Sequence, residues 1–136
     1  MALTLEMAER FIAAAKTKAQ QQEWAMSFAV VDPAGNLVAA ARMDGARWLT
    51  AGIAQSKAFT AATFRRTSME VAELAKSRSL LFSSIAEVAG RPLLLAGGGV
   101  PLLVKGELLG GVGASGGTEE QDIECAKAGV VAIGGE

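Results

Sequence analysis

The apolar positions of this chain change period several times, and each change marks an element. From Leu3 to about Gln22, Leu5, Ala8, Phe11, Ile12, Ala15 and Ala19 recur at helical spacing, with Glu9, Lys16 and Lys18 on the other side. That pattern predicts an amphipathic helix. From Met26 to Val31 the period drops to two, with Met26, Phe28 and Val30 alternating against Ser27, Ala29 and Val31. Asp32-Pro33-Ala34-Gly35-Asn36 is turn chemistry, because proline fixes φ and Gly and Asn tolerate positive φ. Leu37 to Met43 returns as a second strand, which makes a hairpin. Ala39, Ala40 and Ala41 suggest close cover by a helix.

Asp44-Gly45-Ala46 ends that strand. Leu49 to Phe64 is the strongest central helix, rich in alanine, the best helix former. Arg65-Arg66 closes it with charge that suits a C-terminal dipole. Thr67-Ser68-Met69-Glu70 has the form of a capping box and starts a short helix to about Lys76. Ser79 to Ala89 predicts another, ending at Gly90. Arg91 to Leu95 reads as a short edge strand with Pro92 at its start. Val100 to Val104 and Glu107 to Ala114 form a second hairpin, turning at Lys105-Gly106. Thr118-Glu119-Glu120-Gln121 is a second capping box, opening a last helix with Ile123, Ala126, Val130 and Ile133 on one face. The order predicts a single α+β domain over residues 1–136: a central antiparallel sheet of two hairpins plus that edge strand, with helices on both faces.

Composition narrows the chemistry. The 136 residues suit one domain with one sizeable core. Apolar residues make up 51%, enough to predict apolar surface buried between subunits in a homo-oligomer. Lys and Arg number 13 against 14 acids, so there is no general field for nucleic acid or an anionic membrane. No apolar run approaches a bilayer span, and the N-terminus lacks signal-peptide character; the expected location is cytoplasmic. The chain contains no histidine and no tyrosine, and Cys125 is its only cysteine. A Ser-His-Asp or Cys-His arrangement, an internal disulfide and a closed zinc site are therefore excluded within one chain.

The most informative stretch for function is the Gly-rich run from Gly97 to Gly129. Ser115-Gly116-Gly117-Thr118 turns from a strand into a helix, where free amides can cradle a carboxylate or phosphate. The other reading is a capped helix whose glycines only permit the turn. Glycines at 97–99 and 110–113 suggest close backbone approach to a ligand, which places Gly98, Gly99 and Pro101 beside Ser115, Gly116, Gly117 and Thr118 as ligand-binding candidates. Arg42, at the end of an apolar strand, suits a substrate carboxylate; the alternative is a pair with Asp44 or Asp32 that fixes the loop. Asp44, if desolvated, is a general base. Lys57, if buried, is a base or Schiff-base donor; otherwise it snorkels or pairs with an acid. Glu70 and Glu73 form Glu-x-x-Glu, a spacing shared with Glu6 and Glu9. Met7, Met26 and Met43 fit core positions, and Cys125 fits a plain buried thiol.

These residues together resemble the GlcG/HbpS-like family, which includes the C-terminal domain of PduO-type proteins. The resemblance rests on Asp32-Pro-Ala-Gly35, Arg42-Met-Asp-Gly-Ala46, Lys57-Ala with Thr60-Ala, Gly98-Gly-Val-Pro101, Lys105-Gly106, and Gly110-Gly-Val-Gly-Ala-Ser-Gly116 followed by Asp122. It covers nearly the whole chain. It implies a profilin-like sandwich and a homo-oligomer, from a dimer up to an octamer. It also implies a small-molecule ligand, either haem or a related tetrapyrrole, or a small organic acid. In some haem-binding relatives a Glu-x-x-Glu motif binds iron, which makes Glu70 and Glu73 metal candidates. The histidine that ligates haem in some members is missing here. The expectation is a binding protein with an anion-accepting pocket. The alternative is a cofactor-free lyase, isomerase or hydratase acting on a small carboxylic or aromatic acid, with Asp44 or Lys57 moving the proton. A third reading is a structural oligomer whose glycines serve only packing.

Overall fold

The computed structural model describes all 136 residues. Its elements run α1 (Leu5–Gln21), β1 (Ser27–Val31), β2 (Leu37–Arg42), α2 (Thr50–Phe64), α3 (Ser68–Ala75), α4 (Ser79–Ala89), β3 (Gly99–Val104), β4 (Glu107–Ser115) and α5 (Glu119–Ala132). The strands form one antiparallel sheet in the order β2-β1-β4-β3. Each predicted helix and both hairpins are present. The segment 91–95 is the exception, because it joins no strand. Side chains hold this stretch instead. Thr60 Oγ1 accepts from the Leu94 amide at 2.9 Å, and Ser68 Oγ donates to the Ala96 carbonyl and accepts from the Gly99 amide. Hydroxyls of α2 and α3 thus take the place of a ladder.

The strand alternation sorts the two faces. Phe28, Val30, Val100, Leu102, Val112 and Ala114 join Ala8, Phe11, Ala15, Cys125 and Ala126 in the main core, so α1 and α5 cover that face. Val31 packs with Ala58 and Ala62 of α2 on the other. Phe11, Phe28, Met26, Leu102 and Leu109 are fully buried, and each contributes roughly 1.5–3 kcal/mol by leaving water.

The glycines of β3 and β4 set the distance to α2. A Cβ on Gly99, Gly111 or Gly113 would overlap the backbone carbonyls of Lys57, Ala58 or Ala54 respectively. Gly99 pairs with Gly113, and Pro101 with Gly111, across the ladder. These bare positions let the helix backbone lie directly on the sheet, where Cα–H groups can meet its carbonyls. The glycine density that suggested close approach to a ligand is filled by α2.

Candidate functional site

The strand-to-helix corner forms as the capping signal predicts. Thr118 Oγ1 accepts from the Gln121 amide and Gln121 Oε1 accepts from the Thr118 amide, a complete capping box. Two of the corner's amides, those of Gly117 and Thr118, are taken by the chain's own side chains. The Gly117 amide donates to Asp122 Oδ1 at 2.9 Å, and Ser115 is buried. The chain's own carboxylate lies where an external anion was expected. A helix N-terminus favours negative charge whatever its source, and Asp122, a few residues into α5, supplies it.

Lys57 completes this arrangement. Its Nζ donates to Asp122 Oδ2 at 2.8 Å and to the Ala114 carbonyl at 3.1 Å. Both side chains are nearly inaccessible, at 4% and 5% exposure. Gly98 makes room, since a Cβ there would crowd Lys57 Nζ, the Asp122 Cβ and the Ala114 carbonyl. The pair clamps α2, on one face of the sheet, to α5, on the other. Burial pushes the Asp122 carboxyl above its usual range, while the hydrogen bonds from Lys57 and Gly117 pull against that shift. Of the readings open for Lys57, the acid pair is the one that forms. Its ammonium is committed to a carboxylate and a carbonyl.

The other Gly-rich positions are equally occupied. The Gly97 amide donates to Glu119 Oε1, the Gly99 amide to Ser68 Oγ, and Pro101 is buried within β3. Glu70 accepts from the amide and hydroxyl of Thr67, and Glu73 pairs with Lys76 at 2.9 Å. No group of three or more His, Cys, Asp or Glu side chains comes together in a way that could hold a metal ion. Cys125 is buried beside Met26, and burial pushes its thiol up to about 11.

Arg42 stands apart from this network. Register places it opposite Ser27, which in turn lies opposite Ser115, so the strand end and the corner share one end of the sheet. Arg42 makes no ion pair with Asp44 or Asp32. One guanidinium nitrogen donates to the Ala46 carbonyl at 3.0 Å, while Asp32 caps its own turn through the Ala34 and Asn36 amides. Beside Arg42 lies a solvent-open hollow of about 400 Å3, lined also by Lys16, Gln20, Ala41, Met43 and Asp44. Asp44 is exposed, not desolvated. The two cations of this hollow come from α1 and β2. Most of the Arg42 donor set and the whole Lys16 ammonium are within reach of a ligand.

Two participants escaped the sequence reading of the site. Asp122 sits on the buried stripe of α5 with Cys125, Ala126, Gly129 and Val130. An acid in register with an apolar stripe signals a buried partner, and Lys57 on an alanine-rich helix signals the same from the other side. Lys16 lies on the solvent face of α1, and its helical spacing alone gives it no partner.

Five helices around one four-stranded antiparallel sheet, with its glycine corner closed by an internal ion pair, define a small α+β sandwich that carries a cationic hollow at its β2 end. Residues 3–131 match the family described as haem degrading protein HbpS-like, and the chain belongs to that family. It is 39% identical over 114 residues to protein GlcG of Escherichia coli strain K12, covering 83% of this chain and 81% of GlcG. Its fold is similar to that of a PduOC:heme complex, with a TM-score of 0.89, 29% identity, and coverage of 100% of this chain and 98% of that one. It is also similar to HbpS of Streptomyces reticuli, with a TM-score of 0.85, 31% identity, and coverage of 96% and 86%.

Proposed function

We propose that this protein binds an anionic small molecule of the tetrapyrrole class in the hollow beside Arg42. The observation that carries the reading is the pairing of Lys16 and Arg42 around a hollow that also presents Met43. Two cations suit the two carboxylates of a haem-like ligand, and a thioether is a known axial donor to haem iron. Haem supplies a redox-active iron when bound; Lys16 and Arg42 would hold its carboxylates, and Met43 would meet the metal. The fold likeness to a PduO domain captured with heme supports this assignment. The proton-transfer alternative has less support: Lys57 is enclosed by Asp122 and the Ala114 carbonyl, and Asp44 is open to solvent.

Hemin titration tests the proposal. The wild-type chain should give a saturable Soret shift. Arg42→Ala and Lys16→Ala should each weaken the titration about tenfold, the scale of one charge-assisted contact. Met43→Leu should keep binding and alter the spectrum. A wild-type titration that shows only the linear absorbance of free hemin removes the proposal.

A further inference from the structure

We infer that the cleft between α2, the β1–β2 turn and the segment after α4 is a second binding site, which takes a short monocarboxylic acid bearing a hydrogen-bonding group, held by Arg91. The cleft has a volume of about 240 Å3. Gly52, Gln55, Ser56 and Phe59 line it, and their spacing puts them on one face of α2. Gly35 of the turn and Arg91-Pro92 close the other side. The hollow beside Arg42 is walled by α1 and β2, so the two sites share no residue.

Arg91 is fixed in place by folding. Helix α4 ends on Gly90 in the left-handed region, at φ +69°, and Pro92 follows, so the chain leaves the helix at Arg91. The guanidinium lies over the Phe59 ring, 5.4 Å from its centroid, a cation–π contact. One terminal nitrogen donates to the Gly35 carbonyl and the other to Asn36 Oδ1. Gly35 permits this approach, since a Cβ there would overlap the Phe59 ring and crowd the guanidinium. A guanidinium carries five N–H donors, so three remain for a ligand. Both of its acceptors are neutral, and Arg91 joins none of the four ion pairs of the chain. Glu87 lines a neighbouring hollow with Arg91 but forms no ion pair with it. A strut from the end of α4 to the turn accounts for the two hydrogen bonds, not for an unbalanced charge beside a cleft. Because the side chain is already ordered, a ligand gains its contact without the entropy cost of immobilising it.

The lining selects the class of ligand. One cation without a counter-ion matches one negative charge, and its planar fork matches a carboxylate. A phosphate dianion would be left half neutralised. The Phe59 ring and Pro92 offer apolar surface to a short carbon chain. Ser56 gives its carbonyl to Thr60, while its hydroxyl and the Gln55 amide enter no hydrogen bond within the chain and are free for a second polar group of the acid. A cleft of about 240 Å3 falls below the range that holds drug-sized ligands, which excludes a tetrapyrrole here. Gly52, a poor helix former within α2, has open space where its Cβ would stand and keeps the mouth of the cleft wide.

Amide NMR of the full chain, titrated with lactate as a short carboxylate bearing one hydroxyl, tests the assignment. Saturable shifts are expected at Gly35, Gly52 and Ser56, with none at Lys16 or Asp44. Lactamide, of similar shape but uncharged, should move none of them, and inorganic phosphate should bind more weakly than lactate. Arg91→Gln should weaken lactate binding at least tenfold, the scale of a charge-assisted contact. Gly52→Leu meets no neighbour at its Cβ, so it should keep the fold, fill the mouth and abolish binding. The inference is overturned if lactate gives no saturable shift, if lactamide gives the same shifts, if phosphate binds more tightly, or if Gly52→Leu binds like the wild type. The hemin titration reads the α1 side and stands or falls separately: hemin-saturated protein should bind lactate as the free protein does.

Discussion

The Lys57–Asp122 pair should dominate the stability of this protein when one partner is removed. Both groups are out of water, and each ion depends on the other and on a single backbone contact, Ala114 for the lysine and Gly117 for the aspartate. Asp122→Asn keeps an acceptor for Gly117 but leaves the Lys57 ammonium buried without a counter-charge. Breaking a buried pair in this way costs about 3–5 kcal/mol, a large part of the roughly 5–15 kcal/mol that holds a domain folded. At about 3–5 °C per kcal/mol for a chain of this size, Tm should fall by roughly 10–20 °C. Lys57→Met should cost a similar amount. The double variant Lys57→Met/Asp122→Leu should cost much less than the two singles together, because no unpaired charge remains. Urea unfolding of the four proteins closes the cycle. Single-variant losses below about 1 kcal/mol, or strictly additive losses, would refute the claim that the two charges are enclosed together. The pH dependence has a definite sign. The folded-state pKa of Asp122 is raised, so the native state binds its proton more readily than the unfolded chain. The contribution of Asp122 to stability therefore grows as pH falls from the folded pKa toward the unfolded one, and is at its lowest, and flat, above the folded pKa. Asp122→Asn should abolish that component.

Other consequences are simpler to measure. Gly113→Ala would drive a Cβ into the Ala54 carbonyl, so it should destabilise the fold by about 2 kcal/mol or more in urea unfolding, whereas Gly52→Ala, with open space around it and a helical position, should stabilise by up to about 1 kcal/mol. Ser68→Ala removes the group that joins the Ala96 carbonyl to the Gly99 amide; hydrogen exchange at Gly99 should accelerate more than at Val112. Glu70 is held below its usual pKa, first by the Thr67 amide and then by the Thr67 hydroxyl, so its capping contribution is present at neutral pH and lost as pH falls through the folded pKa. Glu70→Gln should flatten that part of the acid limb. Cys125, buried and pushed up to about 11, should resist thiol reagents at about pH 8 until the protein is unfolded.

Periodicity carried most of the fold. Helical spacing in α1, alternation in β1, and the two Thr-led capping boxes each lie in a local sequence pattern, and local patterns survive folding when they agree with the core. The 91–95 segment failed because its extended, leucine-rich composition resembles an edge strand, while its actual restraints are hydroxyls at Thr60 and Ser68, far away in sequence. Glycine was the harder signal. A residue that lacks a Cβ reports only that something comes close; it does not say whether the visitor is a ligand or a helix. At Gly99, Gly111 and Gly113 it is α2. At Gly98 it is the Lys57 ammonium. The α5 face shows the same ambiguity: Ile123, expected in the core stripe, is half-buried against Gly97, and the stripe instead begins with Asp122.

The close seat of α2 and the site of ligand chemistry are physically linked. Because Gly111 and Gly113 admit the helix backbone, Lys57 is near enough to the sheet end for its ammonium to pass Gly98 and reach α5. Once there, it requires a carboxylate, and Asp122 meets that requirement only by also taking the Gly117 amide. The corner that local sequence marks as an anion cradle is therefore neutralised from within by the same packing that makes the sandwich thin. Arg42 lies two strands away on the edge, beyond the reach of this clamp, and with Lys16 it keeps its charge available. If the clamp were what held the corner shut, Lys57→Met/Asp122→Leu should open the Gly117 amide to exchange while leaving the hemin titration at Arg42 unchanged. A titration that instead moved with the clamp variant would place the ligand at the corner after all.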